Sequence, residues 1–134
     1  MAHLNSALIS PCSIIPVSNG RAFTMTGNEY QRLAARTMNP ELLPAQEKLH
    51  ALYGMAGEVG EIHSLHQKIF QGHAVKAIHA MKEVGDLMWF VAEYCTANGW
   101  ALDDVMQMNI DKLKARYPEG FDESRSLHRD SGDV

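Results

Sequence analysis

From about residue 26 to residue 117, apolar side chains recur every three or four positions, the period of helices with one buried face. Thr26 followed by Glu29 has the spacing of a capping box. Tyr30, Leu33, Ala34 and Met38 then share one face of a first helix that must end before Pro40. A second helix is predicted over residues 45–70, with Leu49, Leu52, Tyr53, Ala56, Val59, Ile62 (or His63) and His66 (or Ile69) on its apolar stripe. Gly54, Gly57 and Gly60 weaken this helix by on the order of 1 kcal/mol each relative to alanine, and they suit close packing against a neighbouring helix. Gln71-Gly72-His73 is its stop. A third helix is predicted over 75–97, ended by Asn98-Gly99. A fourth is predicted over 102–117, with Met106, Ile110, Leu113 and Tyr117 as its apolar seam and Pro118 beyond. No segment has the alternation of a strand. Four helices on short loops predict an all-α, four-helix bundle-type fold. Residues 1–23, punctuated by Ser, Asn, Gly and Pro, read as a flexible leader, 24–118 as the helical domain, and 119–134 as a polar tail with Phe121 and Leu127 as anchors.

Composition narrows the picture. The chain has 134 residues, 46% apolar and 21% charged, which suits one domain with a core. A net charge of −4 gives no global attraction to nucleic acid or an anionic membrane, so an anionic ligand has to be met by local cations or a metal. Cys12 lies in the leader and Cys95 in an apolar helical run, which makes no disulfide framework and fits a reducing compartment. The first twenty residues carry no Lys, Arg, Asp or Glu, and Pro11 and Pro16 interrupt their apolar pieces. That pattern lacks the basic start and unbroken centre of a signal peptide. The expected location is cytoplasmic, with no membrane span.

The chemistry concentrates in two acidic pairs. Glu58 and Glu61 are three apart on the second helix, and Glu83 and Asp86 are three apart on the third. Positions three apart differ by about 60° around a helix, so each pair shares a face. Twenty-one residues separate Glu61 from Glu83, enough to leave one helix, turn and return antiparallel. Four converging carboxylates ionise together only with cations among them, and hard oxygen donors favour magnesium or manganese over zinc. On the third helix Leu87, Ala80, Val91, Val84, Cys95, Met88 and Met81 fill a broad apolar arc. Glu83, Asp86, Phe90 and Glu93 occupy the opposite stripe, with Lys82 and Trp89 at its edge. Trp89 or Phe90 there is either a base-stacking surface or packing against another helix. On the fourth helix Asn109, Lys112 and Arg116 form a separate stripe of one polar donor and two cations, suited to a phosphate chain and equally to an ordinary wet face. His63, His66, His73 and His79 are too irregularly spaced for a metal site and read as surface or substrate-edge residues.

Taken jointly, GEVGEIHSLHQK, KEVGDLMWFVAEYC and NIDKLKARYPEGF resemble the MazG-like all-α nucleoside triphosphate pyrophosphohydrolases. The resemblance covers about residues 28–129, from the NEYQ start to Ser126-Leu127-His128-Arg129. It implies magnesium-dependent hydrolysis between the α and β phosphates, with manganese as a substitute, giving a monophosphate and pyrophosphate for sanitation or control of the nucleotide pool. It implies Glu58, Glu61, Glu83 and Asp86 as metal-binding, catalytic carboxylates. Asn109, Lys112 and Arg116 are placed near the phosphates, with Lys68 as a further substrate contact, in a homodimer or homotetramer; Trp89 joins the candidate substrate contacts from the reading of the third helix alone. Gly57 departs from the pattern, because many relatives carry another acid there. Lys82 likewise stands where an acid often precedes the second pair. The identity of the general base is therefore open, and a metal-bound water oriented by one of the four remaining carboxylates is the expected nucleophile. Competing readings are a non-catalytic nucleotide- or metal-binding helical module, a relative specialised for one deoxynucleotide or a phosphoribosyl nucleotide, and a di-iron carboxylate bundle. The last requires paired Glu-x-x-His motifs, of which only Glu47–His50 is present.

Overall fold

A computed structural model describes residues 25–128, so the leader and the end of the tail, including Cys12 and Arg129, lie outside the described residues. These residues form α1 (Gly27–Ala34), a 3-10 turn (Ala35–Thr37), α2 (Pro44–Phe70), α3 (Ala77–Asn98), α4 (Leu102–Arg116) and a short α5 (Glu123–Leu127), with no strand. The all-α expectation holds. The first helix is shorter than its apolar face suggested: after Ala34 it tightens into the 3-10 turn, where Thr37 Oγ1 donates to the Ala34 carbonyl. α5 falls in the segment read as a polar tail, and Asp122 Oδ1 caps it by accepting the Arg125 N–H at 2.8 Å.

Local chemistry sets the element ends. Thr26 Oγ1 accepts the Glu29 N–H at 3.1 Å, the expected cap of α1. Pro44 opens α2, and Gln46 Oε1 accepts the Leu43 N–H at 2.9 Å. α2 closes with His73 N–H on the Lys68 carbonyl and Gly72 N–H on the Ile69 carbonyl, the paired bonds of a Schellman motif. α3 closes in the same way at Gly99, whose φ of 70° lies in the left-handed region.

The start of α4 is capped from a distance. Ala101 at its N-terminus has no capping side chain. Asn28 Oδ1 accepts the Asp103 N–H at 3.0 Å, and Gln31 Oε1 accepts the Leu102 N–H at 2.9 Å. The Gln31 amide also donates to Thr96 Oγ1 and to the Trp100 carbonyl. Two α1 side chains therefore satisfy two of the orphan N–H groups of α4 and pin the α3–α4 turn.

α2 and α3 make an antiparallel hairpin, closely packed through Ala51 and Ala92, and α1 lies across α3 and the start of α4. Among the described residues the buried apolar side chains are few and mostly small: Ala34, Ala51, Ala92, Cys95 and Leu102. Met81, Val84 and Met88 of α3, and Met106, Ile110 and Leu113 of α4, are exposed in the single chain. The apolar arc read on α3 is therefore divided: Cys95 is buried and Leu87 and Val91 half-buried, while Met81, Val84 and Met88 face out. The polar stripe of α3 turns towards α2. Of the three glycines in α2, only Gly54 meets a close neighbour, since a Cβ there overlaps the Phe90 ring. Gly57 and Gly60 have open space beside them.

Candidate metal centre

The α2–α3 hairpin pairs positions whose numbers sum to about 144, which lays successive layers along one seam. His50 meets Glu93, Gly54 meets Phe90, and Glu58 meets Glu83 and Asp86. In the last layer one carboxylate oxygen from each of Glu58, Glu83 and Asp86 lies within 4.8 Å of the others. Glu58 and Glu83 are half-buried and Asp86 is exposed. Among the described residues this is the one group of metal-ligand type, and His63, His66, His73 and His79 join none. Glu61 stands one turn from Glu58, exposed and outside the close trio.

The electrostatics fit a cation site. Burial pushes the Glu58 carboxyl above its ordinary value, and the charges of Asp86, Glu83 and Glu61 push it further. A hard divalent cation among three carboxylate oxygens removes that repulsion. The donor set, with no nitrogen or sulfur, matches the preference of magnesium or manganese. Tyr30 of α1 approaches the same layer, with its hydroxyl 3.5 Å from the Gly85 carbonyl. Burial and the Asp86 charge raise the pKa of its phenol. Sequence reasoning put Tyr30 on the apolar face of α1 and missed this approach, which depends on how α1 crosses α3.

The aromatic residues of α3 pack one layer or more away from the acids. The Trp89 indole N–H donates to Thr37 Oγ1 at 2.8 Å, so it helps fasten the 3-10 turn to α3. The Trp89 ring stands edge-on to Phe90, with centroids 5.0 Å apart. Phe90 fills the space that Gly54 leaves open. Glu93, placed by its spacing on the same stripe as the acids, is 1% exposed. Both its oxygens face His50 Nδ1, at 3.0 and 2.8 Å. The only Glu-x-x-His pair thus uses its histidine on Glu93, two turns from the acidic trio. Burial pushes the Cys95 thiol up, away from a reactive thiolate.

The α4 stripe lies apart from the acids within one chain. Asn109 and Lys112 line a cavity of about 760 Å³ with Trp100, Asp104, Val105 and Met108, and none of the four carboxylates reaches it. Arg116 lies beyond, its guanidinium carbon 6.0 Å from the Tyr117 ring centroid and its carbonyl accepting from Arg125. Lys68 is exposed in the last turn of α2.

Fold and site together define an all-helical protein that gathers carboxylates between two antiparallel helices. Residues 46–121 match the MazG nucleotide pyrophosphohydrolase domain, and the chain belongs to that family of metal-dependent hydrolases. No curated protein and no solved structure matches it. Among the described residues, no helix is long and apolar enough to cross a membrane.

Proposed function

We propose that the chain hydrolyses nucleoside triphosphates to the monophosphate and pyrophosphate, with magnesium held by Glu58, Glu61, Glu83 and Asp86. The observation that carries this reading is the carboxylate trio within 4.8 Å on a family-matched pair of helices. When bound there, magnesium, or manganese in its place, supplies positive charge against the phosphate oxygens and the developing negative charge. Glu58, Glu83 and Asp86 fix the position of that charge. Glu61, one turn from Glu58, is the fourth ligand, and one of the four carboxylates orients the attacking water and accepts its proton. The water oxygen bonds to the α phosphorus, the bond from that phosphorus to the bridging oxygen breaks, and pyrophosphate leaves with the electron pair. Lys112 and Arg116 meet the charge on the leaving pyrophosphate, and Asn109 donates to a phosphate oxygen. Lys68 and Trp89 are further substrate contacts in this reading.

These α4 groups must come to the carboxylates from elsewhere than their own chain's hairpin. A second copy of the chain achieves this by covering Met81, Val84 and Met88 with the exposed seam of Met106, Ile110 and Leu113. The working unit is then a homodimer, or a homotetramer made of two such dimers, in which one protomer's α4 completes its partner's site. The test is pyrophosphate release from a panel of ordinary and modified ribo- and deoxynucleoside triphosphates, with magnesium, manganese or EDTA. Metal-dependent release with the matching monophosphate supports the reading. No product from folded, metal-loaded protein overturns it.

A further inference from the structure

The least economical feature of the α2–α3 seam lies outside the acidic trio. Glu93 is buried to 1% exposure, and both its oxygens are turned to a single partner, His50 Nδ1. Burying a carboxylate is costly, and an apolar side chain of similar size is often as stable or more so. The partner is itself half exposed. A carboxylate hidden beneath an exposed imidazole does little for the core, but it fixes a ring. It accepts the Nδ1–H, holds one tautomer and leaves Nε2 as the atom open to a ligand. Among the described residues Nε2 has no hydrogen-bond partner and no buried polar side-chain atom is left unsatisfied. Two aromatic rings close on the histidine, Phe90 at 5.5 Å and Trp89 at 6.3 Å between centroids.

We infer that His50 is a specificity-determining residue for the nucleobase, and that Glu93 is the positioning residue that aims it. This rests on the nucleotide reading of the trio above. His50 and Glu58 lie eight residues apart on α2, about 12 Å along the axis. That separation is of the size between the phosphates of a nucleotide and its base. Gly54 and Gly57 lie between them; the space beside Gly57 is open, and the Phe90 ring covers Gly54 and forms the floor of the path. A base laid along the seam meets the aromatic edge of Phe90 or Trp89 and presents its polar edge to Nε2. In the neutral ring, with the one proton on Nδ1, Nε2 accepts a hydrogen bond. The ligand class is therefore a base offering an exocyclic amino group at that edge, and a base that offers a carbonyl oxygen in its place is disfavoured.

The experiment measures kcat, KM and binding for two pairs of triphosphates that exchange an amino group for an oxo group, cytosine against uracil and adenine against hypoxanthine. Binding is followed through tryptophan fluorescence with non-hydrolysable analogues. The expected result is that wild type discriminates within at least one pair by about tenfold, the value of one hydrogen bond, mostly in KM. His50→Ala brings that ratio close to one. Glu93→Gln, which still offers an oxygen to Nδ1–H, keeps most of the discrimination. Glu93→Met, which fills the buried space, folds as stably as wild type but loses discrimination. A purely structural Glu93 predicts the reverse for Glu93→Met. A wild-type ratio near one in both pairs, or an unchanged ratio in His50→Ala, overturns the inference while leaving hydrolysis intact. Base-selective binding that depends on His50, without turnover of any triphosphate, removes the enzymatic reading and leaves the inference standing.

Discussion

Gly54 and Gly57 lie one helical turn apart on α2 and give a controlled test of the seam. Replacing either by alanine gains the same intrinsic helix propensity, about 1 kcal/mol. At Gly57 nothing lies within 4 Å of the added Cβ, so the gain stands alone. At Gly54 the Cβ overlaps the Phe90 ring, which is itself wedged against His50 and Trp89. Overpacking of this kind costs about 1–3 kcal/mol. Because propensity cancels between the two variants, their difference isolates the overlap. For a chain of this length it amounts to roughly 4–12 °C in Tm. The assay is thermal unfolding by far-ultraviolet circular dichroism at one protein concentration in EDTA. Phe90→Leu in the Gly54→Ala background shortens the obstructing ring and recovers part of the loss, so the double mutant is more stable than the sum of the singles. Equal stability of Gly54→Ala and Gly57→Ala refutes the pairing of position 54 with 90. The alignment of His50 with Glu93 and of Glu58 with Asp86, which shares that register, falls with it.

Three further outcomes follow from the same geometry. Magnesium at about a hundred times its Kd raises the stability of wild type by about 2.7 kcal/mol, and Glu58→Gln or Asp86→Asn, read by calorimetry with and without the metal, loses most of that increment. Because burial and its neighbours raise the Glu58 pKa, the folded state favours its protonated form. The associated stability is present in acid and is lost as pH rises through the folded pKa, so in EDTA Glu58→Gln is more stable than wild type at neutral pH and the difference closes in acid; a difference that widens in acid contradicts the sign. Asn28→Ala and Gln31→Ala each remove a cap of α4 and cost about 1–2 kcal/mol, with earlier hydrogen exchange at Leu102 and Asp103; unchanged protection at those two amides refutes the capping role.

The features legible in the sequence are those that local chemistry decides. Gly72 and Gly99 end their helices because few other residues adopt the conformation each end requires. The three-residue spacing of Glu83 and Asp86 fixes a shared face, and the reach of the α2–α3 loop brings Glu58 to it. The features missed depend on contacts between distant segments. Asn28 and Gln31 cap a helix more than seventy residues away, and nothing near Ala101 announces it. Periodicity separated two stripes on α3 but not which of them faces α2. Glu93 consequently read on one stripe with Glu83 and Asp86 although it is buried against His50, and Met81, Val84 and Met88 read in one apolar arc with Cys95 although they face out. A helix wheel also cannot divide Glu61 from the other three acids, since that depends on the offset between two helices. The placement of Asn109, Lys112 and Arg116 near phosphates came from the family resemblance, and in one chain α4 meets α1 rather than the acidic layer.

The most direct test of the central claim is release of pyrophosphate and monophosphate from a nucleoside triphosphate by wild type and by Asp86→Asn, each with magnesium and with EDTA. The account predicts both products in equal amounts from wild type with magnesium, none with EDTA, and none from Asp86→Asn although its helical content persists. Release that survives EDTA, or that continues undiminished in Asp86→Asn, contradicts the assignment of the α2–α3 carboxylates as the metal centre of the reaction.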